Sequence, residues 1–105
     1  MILNVMADGQ NFPLEVPDNM LSDAKPVFDK MDADMDQGWQ MGRDWLDNPD
    51  PEQRCQIAAD KLLTAMETEN RSMALMMAAY ILSKAPHVET VVIDTNGEMT
   101  ETHFM

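Results

Sequence analysis

The stretch Val27–Leu46 reads VFDKMDADMDQGWQMGRDWL, and its periodicity decides how the rest of the chain is understood. On a helical wheel at about 3.6 residues per turn, Val27, Phe28, Met31, Met35, Gly38, Trp39, Gly42, Trp45 and Leu46 share an arc of roughly 120°. Asp29, Asp32, Asp36 and Arg43 lie outside it. One amphipathic helix is therefore predicted over residues 26–47, with Pro26 in a first-turn position and Asn48-Pro49-Asp50-Pro51 as the stop. Asp32, Asp34 and Asp36 mimic the first ligands of a calcium loop. Gln37, however, occupies the place of the turn glycine and Arg43 that of the bidentate glutamate, so no such loop is expected. Gly38 and Gly42 each cost about 1 kcal/mol relative to Ala inside a helix. Close approach of another backbone, that of the alanine-rich helix downstream, is the expected compensation.

Outward from this segment, residues 1–16 read as a β-hairpin. Asp8-Gly9 supplies the two positive φ angles of a type I′ turn. Folding there pairs Ala7 with Gln10, Val5 with Phe12 and Leu3 with Leu14, and places Leu3, Val5, Phe12, Leu14 and Val16 on one apolar face. Pro13 cannot donate to a ladder, which assigns the second strand to the sheet edge. A helix over 50–69 opens with Asp50 as cap, Pro51 at N1 and Gln53 completing a capping box. Helical pattern continues to Ser83, and one helix of that length would span about 50 Å, so a break is placed near Glu69–Ser72 and a second helix over 72–85. Met73–Leu82 is apolar all round, the mark of a central helix. Residues 88–105 read as a second hairpin about Asn96-Gly97, pairing Ile93 with Thr100 and Val91 with Thr102. The predicted fold class is α+β: two terminal β-hairpins joined in a small antiparallel sheet, packed on two or three central α-helices in a single domain.

The 19 acidic and 7 basic residues give a net charge of -12. That surface repels phosphates, so neither nucleic acid nor an anionic membrane is an expected partner, and a basic protein surface is. The single Cys55 allows no intramolecular disulfide and no thiolate cluster. No basic and apolar leader precedes Asp8, and the longest apolar run falls short of the roughly 20 residues of a membrane span, so a cytoplasmic setting is expected. The 12 methionines sit mostly at core-like helix positions.

Three classes of function compete. The first is a non-catalytic interaction or accessory protein, self-association as a homodimer included, using Asp29, Asp32, Asp36, Trp39 and Arg43. The second is a metal-binding module. Asp29, Asp32 and Asp36, at i, i+3 and i+7, would offer one row of carboxylates, and His103 with Met105 a soft-ligand tail. Met99 lies about 13 Å along a strand from His103, too far to share an ion with it. The third is an enzyme, or a subunit completed by a partner, with Cys55, His87 or the aspartates as active groups. A helix start near Cys55 can lower its pKa. No phosphate loop, dinucleotide fingerprint or zinc spacing is present, and no cofactor is expected. A buried Tyr80 requires a partner for its hydroxyl, which His87 or a helix aspartate can supply. The interaction class ranks first.

Overall fold

The computed structural model describes residues 1–41 and 43–105. It opens with strands β1 (Ile2–Ala7) and β2 (Gln10–Glu15), joined by Asp8 and Gly9 at φ +53° and +75°. The register is the one that the turn dictates, with Leu3 opposite Leu14, Val5 opposite Phe12 and Ala7 opposite Gln10. Met1 and Val16 exchange both ladder bonds, at 2.7 and 2.9 Å. Exchanging and non-exchanging pairs alternate, so Asn4 and Pro13 form a non-exchanging pair. The N–H that Pro13 lacks would thus have pointed away from β1, along the free edge of the sheet. Proline costs the ladder nothing there and blunts the edge.

After a short helix α1 (Met20–Asp23), helix α2 covers only Lys25–Asp36. The single helix predicted over 26–47 is wrong in its second half. Gln37 caps α2, Gly38 turns the chain at φ +102°, and a second hairpin follows: β3 (Trp39–Met41) against β4 (Asp44–Leu46). Trp39 half-buried, Gln40 exposed and Met41 buried is a period of two concealed within a helical stripe. The nearest neighbour of Gly38 among the described residues is not a downstream helix backbone but the Trp45 ring, which lies where a Cβ would be. Trp45 itself is 58% exposed, not core as its place in the stripe suggested. The reading of Gly42 falls outside the described residues.

Helix α3 (Pro51–Glu67) carries the expected capping box, with Asp50 accepting from the Gln53 amide and Gln53 returning the bond, each at 2.8 Å. Helix α4 (Arg71–Lys84) follows a turn in which Glu69 takes φ +57° and Asn70 caps the Met73 amide. Strands β5 (Thr90–Val92) and β6 (His103–Phe104) complete a four-stranded sheet in the order β2-β1-β5-β6.

Two expectations for this sheet are corrected. It is mixed, because β5 runs parallel to β1, with Asn4 opposite Thr90 and Met6 opposite Val92. The helical segment between the strands carries the chain back to the end from which β1 started. The C-terminal pairing is also two residues on from that expected, with Val91 opposite Phe104 and Val92 opposite His103. Asp94 Oδ2 accepts the amides of Asn96 and Glu98 at 3.0 and 2.8 Å, while its own amide donates to Thr102 Oγ1 at 3.0 Å. Those bonds close a wide loop with a 3₁₀ turn at Met99–Glu101, which competes out the two-residue turn. A shift of two leaves every side chain on its original face. Met99 leaves the strand altogether.

Leu3, Val5 and Val91 from the sheet join Ile57 and Leu62 of α3 and Tyr80, Ile81 and Leu82 of α4 in one apolar cluster. Among the described residues, no helix is long and apolar enough to cross a membrane. Gly38→Ala should lower stability by about 1–2 kcal/mol, since alanine resists this φ and its methyl displaces the Trp45 ring. Denaturant titration checks it, and in the Trp45→Ala background the loss should shrink.

Candidate functional site

The aspartate row of α2 does not form a continuous wet face. Asp32 turns inward toward α4, where its carboxylate accepts from Tyr80 Oη at 2.6 Å, Lys84 Nζ at 2.6 Å and Arg54 Nη1 at 3.3 Å. Tyr80 thus has the aspartate partner that its burial demanded, and its ring meets Phe28 edge-on at 5.7 Å. Arg54 is shared widely. It donates to Asp36 Oδ1 at 2.6 Å, to Asn48 Oδ1 at 2.9 Å and to the Pro49 carbonyl at 2.8 Å. Asp29 pairs with Lys25 at 3.0 Å and Asp34 with Lys30 at 3.5 Å, both along the exposed helix surface.

Burial pushes the Asp32 carboxyl up, but hydrogen bonds from Lys84, Tyr80 and Arg54 outweigh it and hold the group below its ordinary value of 3.8. Burial and the Asp32 hydrogen bond both push the Tyr80 phenol upward. The hydrogen bond to Asp36 raises Arg54, against the pull of desolvation. None of these groups is poised to exchange a proton near neutrality. A cleft of about 510 Å³ opens beside them, lined by Asp32, Asn48, Asp50, Arg54, Tyr80 and Lys84 among others.

The remaining sequence candidates are scattered. Trp39 lies half-buried beneath Lys61, whose Nζ is 4.8 Å from the ring centroid. Arg43 is exposed in the turn before β4. His103 Nδ1 lies 3.2 Å from the Glu101 carbonyl, and Met105 is 62% exposed beyond β6. Among the described residues, no three His, Cys, Asp or Glu side chains gather as a metal ion requires. Cys55, His87 and His103 do share the lining of a cleft of about 340 Å³, with Lys84 and Phe104. Cys55 lies beyond the first turn of α3, and burial pushes it up to about 11, against the lowering that a helix start suggested.

Sequence reasoning missed Arg54 and Lys84, which nothing in their surroundings marks as partners of Asp32. It also missed Gln56, buried on α3, whose Nε2 donates to the carbonyls of Thr100 at 3.3 Å and Thr102 at 3.0 Å and so anchors the C-terminal loop. A glutamine beside the apolar stripe was the available signal. Comparison with protein-family models, with curated proteins and with solved structures finds no match to this chain.

Asp32→Asn should destabilise the protein by about 2–3 kcal/mol at neutral pH, because Arg54 and Lys84 lose their shared anion. Tyr80→Phe should cost about 1 kcal/mol. The folded-state pKa of Asp32 is depressed, so its contribution is complete above about 3.8 and fades as pH falls through the lower folded value. Denaturation curves of wild type and Asp32→Asn should therefore converge below that pH. Alkylation of Cys55 should stay slow at pH 8 and accelerate only toward about 11.

Proposed function

We propose that this chain is a small acidic interaction protein, not itself a catalyst, that binds a basic surface on another protein. The observation that carries this reading is how its cations are used. Of the seven basic residues, Lys25, Lys30, Arg54 and Lys84 are ion-paired within the chain, and Lys61 lies over Trp39. Most of the remaining carboxylates are exposed, so the net charge of -12 is presented largely at the surface. Such a surface steers basic partners inward and weakens as salt screens it. Exposed Trp45, flanked by Asp44 and Asp47, adds an indole framed by carboxylates, a combination suited to arginine or lysine.

Asp32 and Asp36 are engaged with Arg54 and Lys84, and Asp29 with Lys25, which leaves Asp44 and Asp47 better placed to meet a partner. Two copies each carrying -12 repel one another, which favours a different protein over a homodimer. A single buried, unpaired thiol suits a reducing compartment and supports a cytoplasmic setting.

Affinity capture on the intact chain, with bound proteins identified by mass spectrometry, tests this. Basic proteins released between low and high salt are expected. Retention of neutral or acidic proteins regardless of salt would overturn the reading.

A further inference from the structure

Val5 is fully buried, yet Phe12, its ladder partner on the same face of the sheet, remains 38% exposed. A shallow cleft of about 240 Å³ there is lined by Phe12, Leu63 and Met66, with Asp8 and Glu67 beside them. A second, of about 170 Å³, is lined by Leu63, Ile93 and Met99, with Asp60 and Asp94. The two share Leu63 and so adjoin along α3, a groove in two parts. Its floor is aliphatic, aromatic and thioether, and four carboxylates are distributed through its lining. Among the described residues that line it, none is basic.

We propose that this groove docks a basic amphipathic helix of a partner protein. Apolar anchors of that helix cover Leu63 and Met66, while its lysine or arginine side chains meet Asp8, Asp60, Glu67 and Asp94. The proposal rests on the basic-partner reading above and locates it.

Charge complementarity selects the occupant. A second copy would bring a net charge of -12 against four more carboxylates. An extended peptide adding to β2 would find no donor at Pro13, in the middle of the free edge. A helix needs no ladder, and the flexible thioethers of Met66 and Met99 adapt to its side chains. Asp60, Leu63 and Glu67 lie along one side of α3 over about 10 Å, room for two turns of a partner helix.

The probe is a fluorescein-labelled peptide of leucine and lysine, patterned for one apolar helix face and titrated with the intact protein by anisotropy. The same pattern with glutamate for lysine is the control peptide. The lysine peptide should bind and the glutamate peptide should not. Asp60→Lys with Glu67→Lys should weaken binding about tenfold, well beyond the effect of Asp18→Lys with Glu89→Lys, an equal charge change at exposed sites outside the groove. Phe12→Ser should weaken binding with helix content unchanged. Equal weakening by the two charge-reversal pairs would overturn the groove while leaving the basic-partner reading standing. A dimer that dissociates on Phe12→Ser would give the groove to a second copy and overturn the proposal. Loss of salt dependence in the capture experiment would count against the basic-partner reading itself.

Discussion

Asp32 brings three helices to one point. Its carboxylate, on α2, takes hydrogen bonds from Arg54 on α3 and from Tyr80 and Lys84 on α4. A carboxylate with only about a fifth of its side chain exposed is costly to hold in place unless its lone pairs are answered, and here each donor comes from a different position in the chain. Tyr80 is the largest of the fully buried side chains, so anchoring its hydroxyl also fixes the centre of α4. The same constraint explains why α2 presents a broken acidic face. Asp32 is drawn inward, Asp36 follows it to Arg54, and the outer helix surface is left to the lysine-paired Asp29 and Asp34.

This use of cations has a wider electrostatic result. An acidic chain normally distributes its few positive side chains so that they dilute the surface field. Here five of the seven lie at the Asp32 cluster, along α2 and over the Trp39 ring. Arg54 and Lys84 thus offset Asp32 and Asp36, and the other, mostly exposed carboxylates set the sign of the surface.

What could be read in the sequence follows from which signals were local. Asp8-Gly9 fixes the first hairpin because the turn and the alternation of Leu3, Val5, Phe12 and Leu14 agree on one register. The Asp50 cap is equally local. The segment after Asp36 was misread because Gly38, Trp39, Trp45 and Leu46 satisfy a 3.6-residue period, while Trp39 and Met41 alternate with Gln40, and the chain reversal at Gly38 separates the two readings. The C-terminal turn was misplaced because Asp94 offers the backbone a side-chain acceptor that outcompetes the tight hairpin. Of the candidate site, the Tyr80–aspartate bond was legible from the cost of a buried hydroxyl. The Arg54 and Lys84 contacts were not, since they depend on how α3 and α4 are placed against α2.

The parallel pairing of β1 with β5 joins Asn4 to Thr90, nearly the full length of the chain apart. Closing so large a loop is an entropic toll that helices α3 and α4, adjacent in sequence, do not face. During synthesis the first hairpin leaves the ribosome with Leu3 and Val5 uncovered, and its inner edge has no neighbour until β5 is made. The β1–β5 pairing therefore waits until almost all of the chain has been made. Until β5 pairs there, Asn4 and Met6 offer a stretch of backbone on which another copy of the unfinished chain can begin to zip.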